Sequence, residues 1–274
     1  METSQPRNIL ITGASSGIGA ALARAYAARG TILHLGGRDQ TRLDHIASEC
    51  ENLGARAITR NQDVCDRTGM ERWIQEAWPI GSLDLVIANA GISGGTGRAG
   101  DAGDDRAPSE DVAQVREIMA VNVDGVVNTV FPVIDQMLKI KEPVSGTRGQ
   151  IAIMSSLAGF RGLPGAPAYC ASKAAVRSLG EGLRGLMAEN QIKFSVICPG
   201  FVKSPMTDTN PYPMPFIMSS DRAAQIIKHG LAKDRARISF PRRLAAVAWI
   251  FAALPPSWVD PIVRRFPEKP RSER

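Results

Sequence analysis

Cysteine and histidine are scarce in this chain of 274 residues, and their spacing excludes several chemistries. The four cysteines, at 50, 65, 170 and 198, include no C-x-x-C pair and have no short-range histidine partner. That leaves no basis for a zinc site or a disulfide framework, and free thiols are expected. His34, His45 and His229 are isolated, without the i, i+4 spacing that sets two ligands on one helix face. Long apolar runs are also missing near the start. The first one, residues 9–11, is far too short for an export signal and follows no basic region, so a cytoplasmic protein is expected. There is no internal repeat.

A strong overall charge is absent too. The formal net charge is +6, but residues 1–227 carry 22 Lys+Arg against 23 Asp+Glu, while residues 228–274 carry 11 against 4. The body is nearly neutral and the tail basic. No interleaving of basic and aromatic residues runs through the body as a nucleic-acid groove needs, so nucleic acid is not expected as a partner.

What is present is a chain 44% hydrophobic and 22% charged, long enough to bury one continuous α/β core. Strand-sized apolar runs, several of them β-branched, occur at 9–12, 31–35, 55–59, 83–88, 151–154, 194–198 and 238–240. Between them, 18–29, 39–53, 67–78, 112–139 and 168–189 place apolar residues at helical intervals. Strands alternating with helices predict a parallel sheet of about seven strands in one domain, with helices on both faces. Residues 93–111 and 141–150 read as exposed loops. From 199 to 219, prolines at 199, 205, 211, 213 and 215 break an otherwise apolar stretch, predicted as a loop with no regular element.

Chemistry concentrates where the predicted strands end. Thr12-Gly13-Ala14-Ser15-Ser16-Gly17-Ile18-Gly19 follows the first strand and opens the first helix. Glycine there lets the backbone approach a pyrophosphate, while the N–H groups and dipole of the helix start favour its negative charge. A tight strand-to-helix connection alone also uses glycine. Tyr169 and Lys173 lie four positions apart on a predicted helix and so share one face. A phenol of ordinary pKa ~10 exchanges protons poorly near neutrality, and a nearby ammonium is expected to favour its phenolate. Gly13, Arg38, Asp63, Asn89, Ser156 and Pro199-Gly200 each follow a predicted strand, and in a parallel sheet those ends share the edge where ligands bind.

The spacing Gly-x-x-x-Gly-x-Gly, with Asn89-Ala90-Gly91, Asn122, Ser156, Tyr169-x-x-x-Lys173 and Pro199-Gly200, resembles the short-chain dehydrogenase/reductase family from about residue 8 to 240. The resemblance implies a Rossmann-type doubly wound sheet in residues 1–240, with a substrate loop at about 201–219, followed by an extension at 241–274. It implies that Ser156 hydrogen-bonds a substrate carbonyl oxygen and that Tyr169 exchanges that oxygen's proton. Lys173 then also holds the ribose hydroxyls of a nicotinamide cofactor that carries the hydride. Ser155 is the alternative hydroxyl, but the family's serine-to-tyrosine interval matches Ser156. Asn122 matches a position that holds a water between the lysine and solvent, or is a helix-distorting structural residue. Gly13, Ser15, Ser16, Gly17, Ile18 and Gly19 are expected on the pyrophosphate. Asp63-Val64 are expected at the adenine, with a solvated Asp the plainer reading of Asp63. Asn89, Ala90 and Gly91 are expected by the adenine ribose, although Ala88 replaces the commoner first Asn. Pro199, Gly200, Val202 and Ser204 are expected at the nicotinamide, with Ser204 in place of the commoner threonine.

The cofactor is chosen after the second strand, where an acid selects NAD and an arginine accommodates the 2′-phosphate of NADP. In Leu35-Gly36-Gly37-Arg38-Asp39 the acid position falls on Gly37 and Arg38 follows, so NADP is preferred. NAD enters if the strand end shifts and Asp39 takes the ribose. Residues 201–218 suit a hydrophobic or bulky carbonyl substrate, or staple the loop to the sheet. The stretch 244–254, flanked by Arg242-Arg243, Pro255-Pro256, Trp258 and Arg264-Arg265, is too short to span a bilayer. It suits a helix packed on its own subunit or a dimer partner, with a peripheral position on a membrane surface as the alternative. The activity implied is an NADP-linked carbonyl reductase or alcohol dehydrogenase that forms a homodimer or homotetramer. Two alternatives are a cofactor-binding regulatory protein with little turnover and a sugar-nucleotide epimerase or dehydratase.

Overall fold

The computed structural model of the chain describes residues 6–95, 110–143, 146–208, 210 and 212–266. One sheet of seven parallel strands organises them: β1 (Asn8–Thr12), β2 (Ile32–Gly37), β3 (Arg56–Asn61), β4 (Leu85–Ala88), β5 (Gly149–Met154), β6 (Ile192–Pro199) and β7 (Arg237–Phe240). Their spatial order is 3-2-1-4-5-6-7, with β1 pairing β2 on one side and β4 on the other. The chain therefore reverses direction across the sheet between β1 and β4, which opens a crevice beyond their carboxyl ends.

Side-chain alternation explains why both faces are covered. In β1, Ile9 and Ile11 join the core under α1 (Gly17–Tyr26), α2 (Gln40–Asn52) and the later α8, while Leu10 joins the opposite core. That second core lies beneath α3 (Arg67–Ala77), α5 (Gly125–Leu138) and α6 (Pro167–Leu186). Strands buried on both faces read as continuous apolar runs, and each fully buried aliphatic chain contributes about 2 kcal/mol. Asp39, Asp66 and Asp111 cap α2, α3 and α4 (Val112–Met119), each accepting from a first-turn N–H.

Three local readings need correction. The helix expected over 112–139 is interrupted: a π-helical turn, Ala120–Asp124, separates α4 from α5 and contains Asn122. The stretch 199–219 is not free of regular structure. It carries a one-turn helix, α7 (Pro205–Asp208), and its two arms are joined by a parallel bridge between Val202 and Met218. The second strand ends at Gly37, two residues beyond the expected end.

α8 (Ser220–Ala232) packs against α1, and α9 (Arg242–Ala253) and α10 (Pro256–Val263) follow β7. Leu244, Ala245 and Ala248 of α9 rest on Leu157, Val196 and Cys198. Of the predicted loop 93–111, residues 96–109 lie outside the described residues, as do 144–145 of the loop 141–150. Gly149 and Gln150 of the latter belong to β5.

Candidate active site

A cleft of about 400 Å³ lies at the carboxyl edge of the sheet and gathers nearly every residue singled out in the sequence. Gly13, Ser15, Ser16, Gly17, Ile18, Arg38, Asp63, Val64, Asn89, Ala90 and Gly91 line one part of it. Ser156, Tyr169, Lys173, Pro199, Gly200, Val202 and Ser204 line the rest. Gly19 and Asn122 stand behind this surface.

The glycine turn is held open by backbone geometry. Gly13 (φ +65°) and Gly17 (φ +54°) adopt conformations that side chains disfavour. A Cβ at Gly19 would overlap the Gly13 carbonyl oxygen, so Gly19 lets the start of α1 close onto the turn. Ser16, at the N-cap of α1, makes no side-chain capping bond, and the first N–H groups of the helix remain available. These features fit a dinucleotide pyrophosphate. Asn89 supports the turn from behind: its Nδ2 donates to the Thr12 and Gly13 carbonyls at 3.0 and 3.1 Å. The Thr12 hydroxyl accepts from the N–H groups of Asn89 and Ala90. Thr12 was not singled out, because a strand-terminal threonine reads as ordinary β propensity.

At the end of β2 the acid and the base have different fates. Asp39 caps α2, with Oδ1 accepting from the Arg42 N–H at 3.0 Å and Oδ2 paired with Arg42 Nε at 3.1 Å. Arg38 is exposed and pairs with no carboxylate among the described residues. Arg42 also lines the cleft, a second guanidinium that no motif in the sequence marks. Asp63 takes the Cys65 N–H on Oδ1 at 2.9 Å.

Around Tyr169 the elements converge. α6 begins at Pro167, whose fixed φ suits a first helical position. The helix has no side-chain cap of its own, since Ala166 precedes it. Glu110 supplies an acceptor instead, with Oε2 taking the Ala168 N–H at 2.7 Å. Burial raises the pKa of Glu110, with that hydrogen bond opposing. No local motif marks this residue.

Ser155 and Ser156, consecutive at the end of β5, diverge. The Ser155 hydroxyl donates to the Lys173 carbonyl at 2.7 Å, whereas Ser156 Oγ accepts from the Ala158 N–H at 3.1 Å beside Tyr169. Lys173 Nζ donates to the Met154 carbonyl at 3.0 Å and lies 5.8 Å from the centre of the Tyr169 ring. Burial pushes the Tyr169 phenol up to about 12, opposed by its hydrogen bond with Ser156, and pushes the Lys173 ammonium down to about 8. Desolvation is the largest influence on the phenol, and it opposes the phenolate that a neighbouring ammonium would favour.

Asn122 is fully buried. Its Oδ1 accepts from the Ile92 N–H at 2.8 Å, and its Nδ2 donates to the Ile92 carbonyl and to Ser172 Oγ, both at 2.9 Å. The π-turn thus ties the segment after β4 to α6. Gly91 lies between Asn122 and Lys173, since a Cβ there would come within 3.1 Å of both Asn122 Oδ1 and Lys173 Nζ. Having no side chain, it leaves that gap open.

A family model described as short chain dehydrogenase matches residues 7–213. An "Uncharacterized oxidoreductase" of Myxococcus xanthus (strain DK1622) is 38% identical over 261 residues, covering 94% of this chain and 97% of its own. The 11-beta-hydroxysteroid dehydrogenase-like 4A protein of Arabidopsis thaliana is 29% identical over 261 residues, covering 90% and 80%. In fold, the chain is similar to a short chain dehydrogenase/reductase from Burkholderia phymatum in complex with NAD. The TM-score is 0.78 at 23% identity, over 100% of both chains.

Proposed function

The chain belongs to the short-chain dehydrogenase/reductase family and is an oxidoreductase. From that premise we propose that it interconverts a carbonyl and a secondary alcohol, using NADP in preference to NAD, on a hydrophobic or bulky substrate. The observation that carries this reading is the grouping of Ser156, Tyr169 and Lys173 in the same cleft as an open glycine turn and Arg38, which has no carboxylate partner among the described residues.

The nicotinamide, when bound, supplies or accepts the hydride. The chain's own residues do the rest. Ser156 donates its hydroxyl to the substrate oxygen as charge develops there, and Tyr169, held neutral by burial, gives that oxygen its proton in the reducing direction. Lys173, anchored by the Met154 carbonyl, would hold the ribose hydroxyls of the bound cofactor with its remaining N–H bonds. Gly13, Ser15, Ser16, Gly17 and Ile18 take the pyrophosphate, with Gly19 behind them. Val64 and Asp63 flank the adenine, and Ala90 and Gly91 its ribose. Pro199, Gly200, Val202 and Ser204 form the nicotinamide wall.

NADP is favoured because Asp39 spends both carboxylate oxygens on α2 and Arg42, while Arg38 and Arg42 offer guanidinium groups at the rim. The apolar residues Met206, Phe216 and Ile217 support a hydrophobic substrate, as does the name of the hydroxysteroid dehydrogenase-like relative. Exposed Val127 and Phe131 on α5 suit contact with a second copy in a homodimer or homotetramer.

The test is NADPH oxidation by purified protein over a panel of hydrophobic ketones, beside Tyr169→Phe. Turnover by the native chain, cut by roughly 100-fold or more in the variant with NADPH affinity retained, is expected. Binding of NADPH without turnover on any ketone or alcohol would move the reading to a regulatory cofactor-binding protein.

A further inference from the structure

The C-terminal pair α9–α10 leaves a feature that the catalytic reading does not use. Residues 244–254 are apolar without exception, yet among the described residues only one side of α9 packs on the body. Leu244, Ala245 and Ala248 face the body, while Val247, Trp249 and Ile250 are exposed, Trp249 by 61%. In α10, Val259 and Val263 are buried, while Ile262 and Trp258, the latter 68% exposed, reach solvent, as does Phe266 just beyond the helix. Large apolar side chains concentrated at one end of a chain mark a contact surface.

The charges around them indicate which kind of contact. Arg242 and Arg243 open α9, Arg264 and Arg265 follow α10, and all four are exposed. The acids described in this part of the chain are already engaged: Asp234 pairs with Arg184 at 2.8 Å and Asp260 with Arg161 at 3.5 Å. None of the four terminal arginines has a carboxylate partner among the described residues. In a twofold contact of this face with its own copy, arginine-rich rims would meet arginine-rich rims, which opposes association. A surface that is apolar within and anionic at its boundary complements it, with tryptophan rings and arginine stems placed at the boundary.

We infer that α9–α10 is a docking face for the surface of an anionic lipid bilayer. The face is rigidly connected to the catalytic cleft. Arg161 donates to the Phe251 and Leu254 carbonyls at 2.9 and 3.2 Å, and through Asp260 it also holds α10. α9 packs on the short helical turn Leu157–Phe160, directly after Ser156. A Cβ at Gly200 would come within 2.9 Å of Leu244 Cδ2, so α9 backs the turn that follows β6. Docking therefore holds the substrate side of the cleft near the bilayer, where lipophilic carbonyl compounds concentrate.

The full chain is tested by co-sedimentation with vesicles of phosphatidylcholine alone and of phosphatidylcholine mixed with phosphatidylglycerol. Binding to the mixed vesicles and release by salt are expected. Each arginine near an anionic surface contributes about 1 kcal/mol, roughly fivefold in partition, so R242Q/R243Q binds about 30-fold more weakly. These surface changes remove no packing, and a matched thermal melt shows the variant folded. Brominated lipid should quench the native tryptophan fluorescence, with the effect largely lost in W249F/W258F. Equal binding of the native chain to both vesicle types overturns the inference, as does unchanged binding of R242Q/R243Q. So does self-association in the ultracentrifuge that Trp249→Glu abolishes while mixed vesicles are ignored, which assigns the face to a second copy. No cofactor or substrate enters the assay, so its outcome is separate from that of the proposed activity.

Discussion

Replacing Arg38 by alanine separates the two cofactors. Arg38 stands one residue beyond the end of β2, exposed at the cleft rim, with its charge unneutralised by any described carboxylate. A 2′-phosphate bound there gains a charge-assisted hydrogen bond worth about 1.5–3 kcal/mol, and the exposed position places the value toward the lower end. The expected loss of NADPH affinity is therefore on the order of 10- to 100-fold, with NADH affinity changed by about twofold or less. Arg42 sets the scale of what survives. It lines the same cleft and stays tied to Asp39, so the double variant R38A/R42A should lose NADPH selectivity altogether. Intrinsic fluorescence titration with each cofactor is the assay, with Asp39→Ala alongside. If Asp39 rather than Arg38 governs, Asp39→Ala weakens NADH specifically and Arg38→Ala changes neither cofactor. That pattern refutes the reasoning, since it requires the carboxylate to leave both of its partners on α2.

Three further outcomes follow from buried groups. Lys173 loses its proton near pH 8 in the free chain, so NADPH affinity should decline as pH rises from 7 to 9, and a flat profile in fluorescence titrations across that range contradicts an ammonium-dependent grip. Glu110→Ala leaves the Ala168 N–H without its acceptor and should cost about 1 kcal/mol in denaturant unfolding, while Glu110→Gln keeps an acceptor and loses less; equal losses would count against the capping role. His34, fully buried with Nε2 2.9 Å from Asn8 Oδ1, is held down to about 4 by burial and by Arg56, so the unfolded chain binds the extra proton between pH 4 and the ordinary ~6.5. Stability should therefore fall by up to about 3 kcal/mol as pH drops through that window, and thermal melts of His34→Gln should show a shallower fall.

The sheet was legible because its central strands are buried on both faces and so appear as short apolar runs, and because glycine, asparagine, serine and proline mark where most runs stop. Those marks also located the cleft, since the ends of parallel strands share one edge. What escaped notice lay in contacts between segments remote in sequence. Glu110 serves a helix that starts 57 residues later, at Pro167, and no local pattern connects the two. Asn122 stood out in the sequence, but its place in a π-turn, hydrogen-bonded to Ile92 and Ser172, is something a helical period cannot register. Arg42 looks like one more charge on a solvated helix until Asp39 draws it to the rim. The end of β2 slipped by two residues because Gly36 and Gly37 carry no strand signature. Gly36 is small for a tertiary reason, as a Cβ there would overlap the Trp73 ring.

Burial acts on Tyr169 and Lys173 in opposite directions, and the consequence is chemical. In water a tyrosine at ~10 and a lysine at ~10.4 would titrate almost together. Here the phenol moves to about 12 and the ammonium to about 8, so the two no longer titrate together and the charged form of each is disfavoured in the cleft. In the free chain the phenol is protonated near neutrality, with its hydroxyl hydrogen-bonded with Ser156 and its helix started by Glu110 and Pro167. Running the reaction toward the ketone requires the phenolate. Burial opposes that form, and positive charge beside the ring favours it; Lys173, 5.8 Å from the ring centre, is placed to supply such charge.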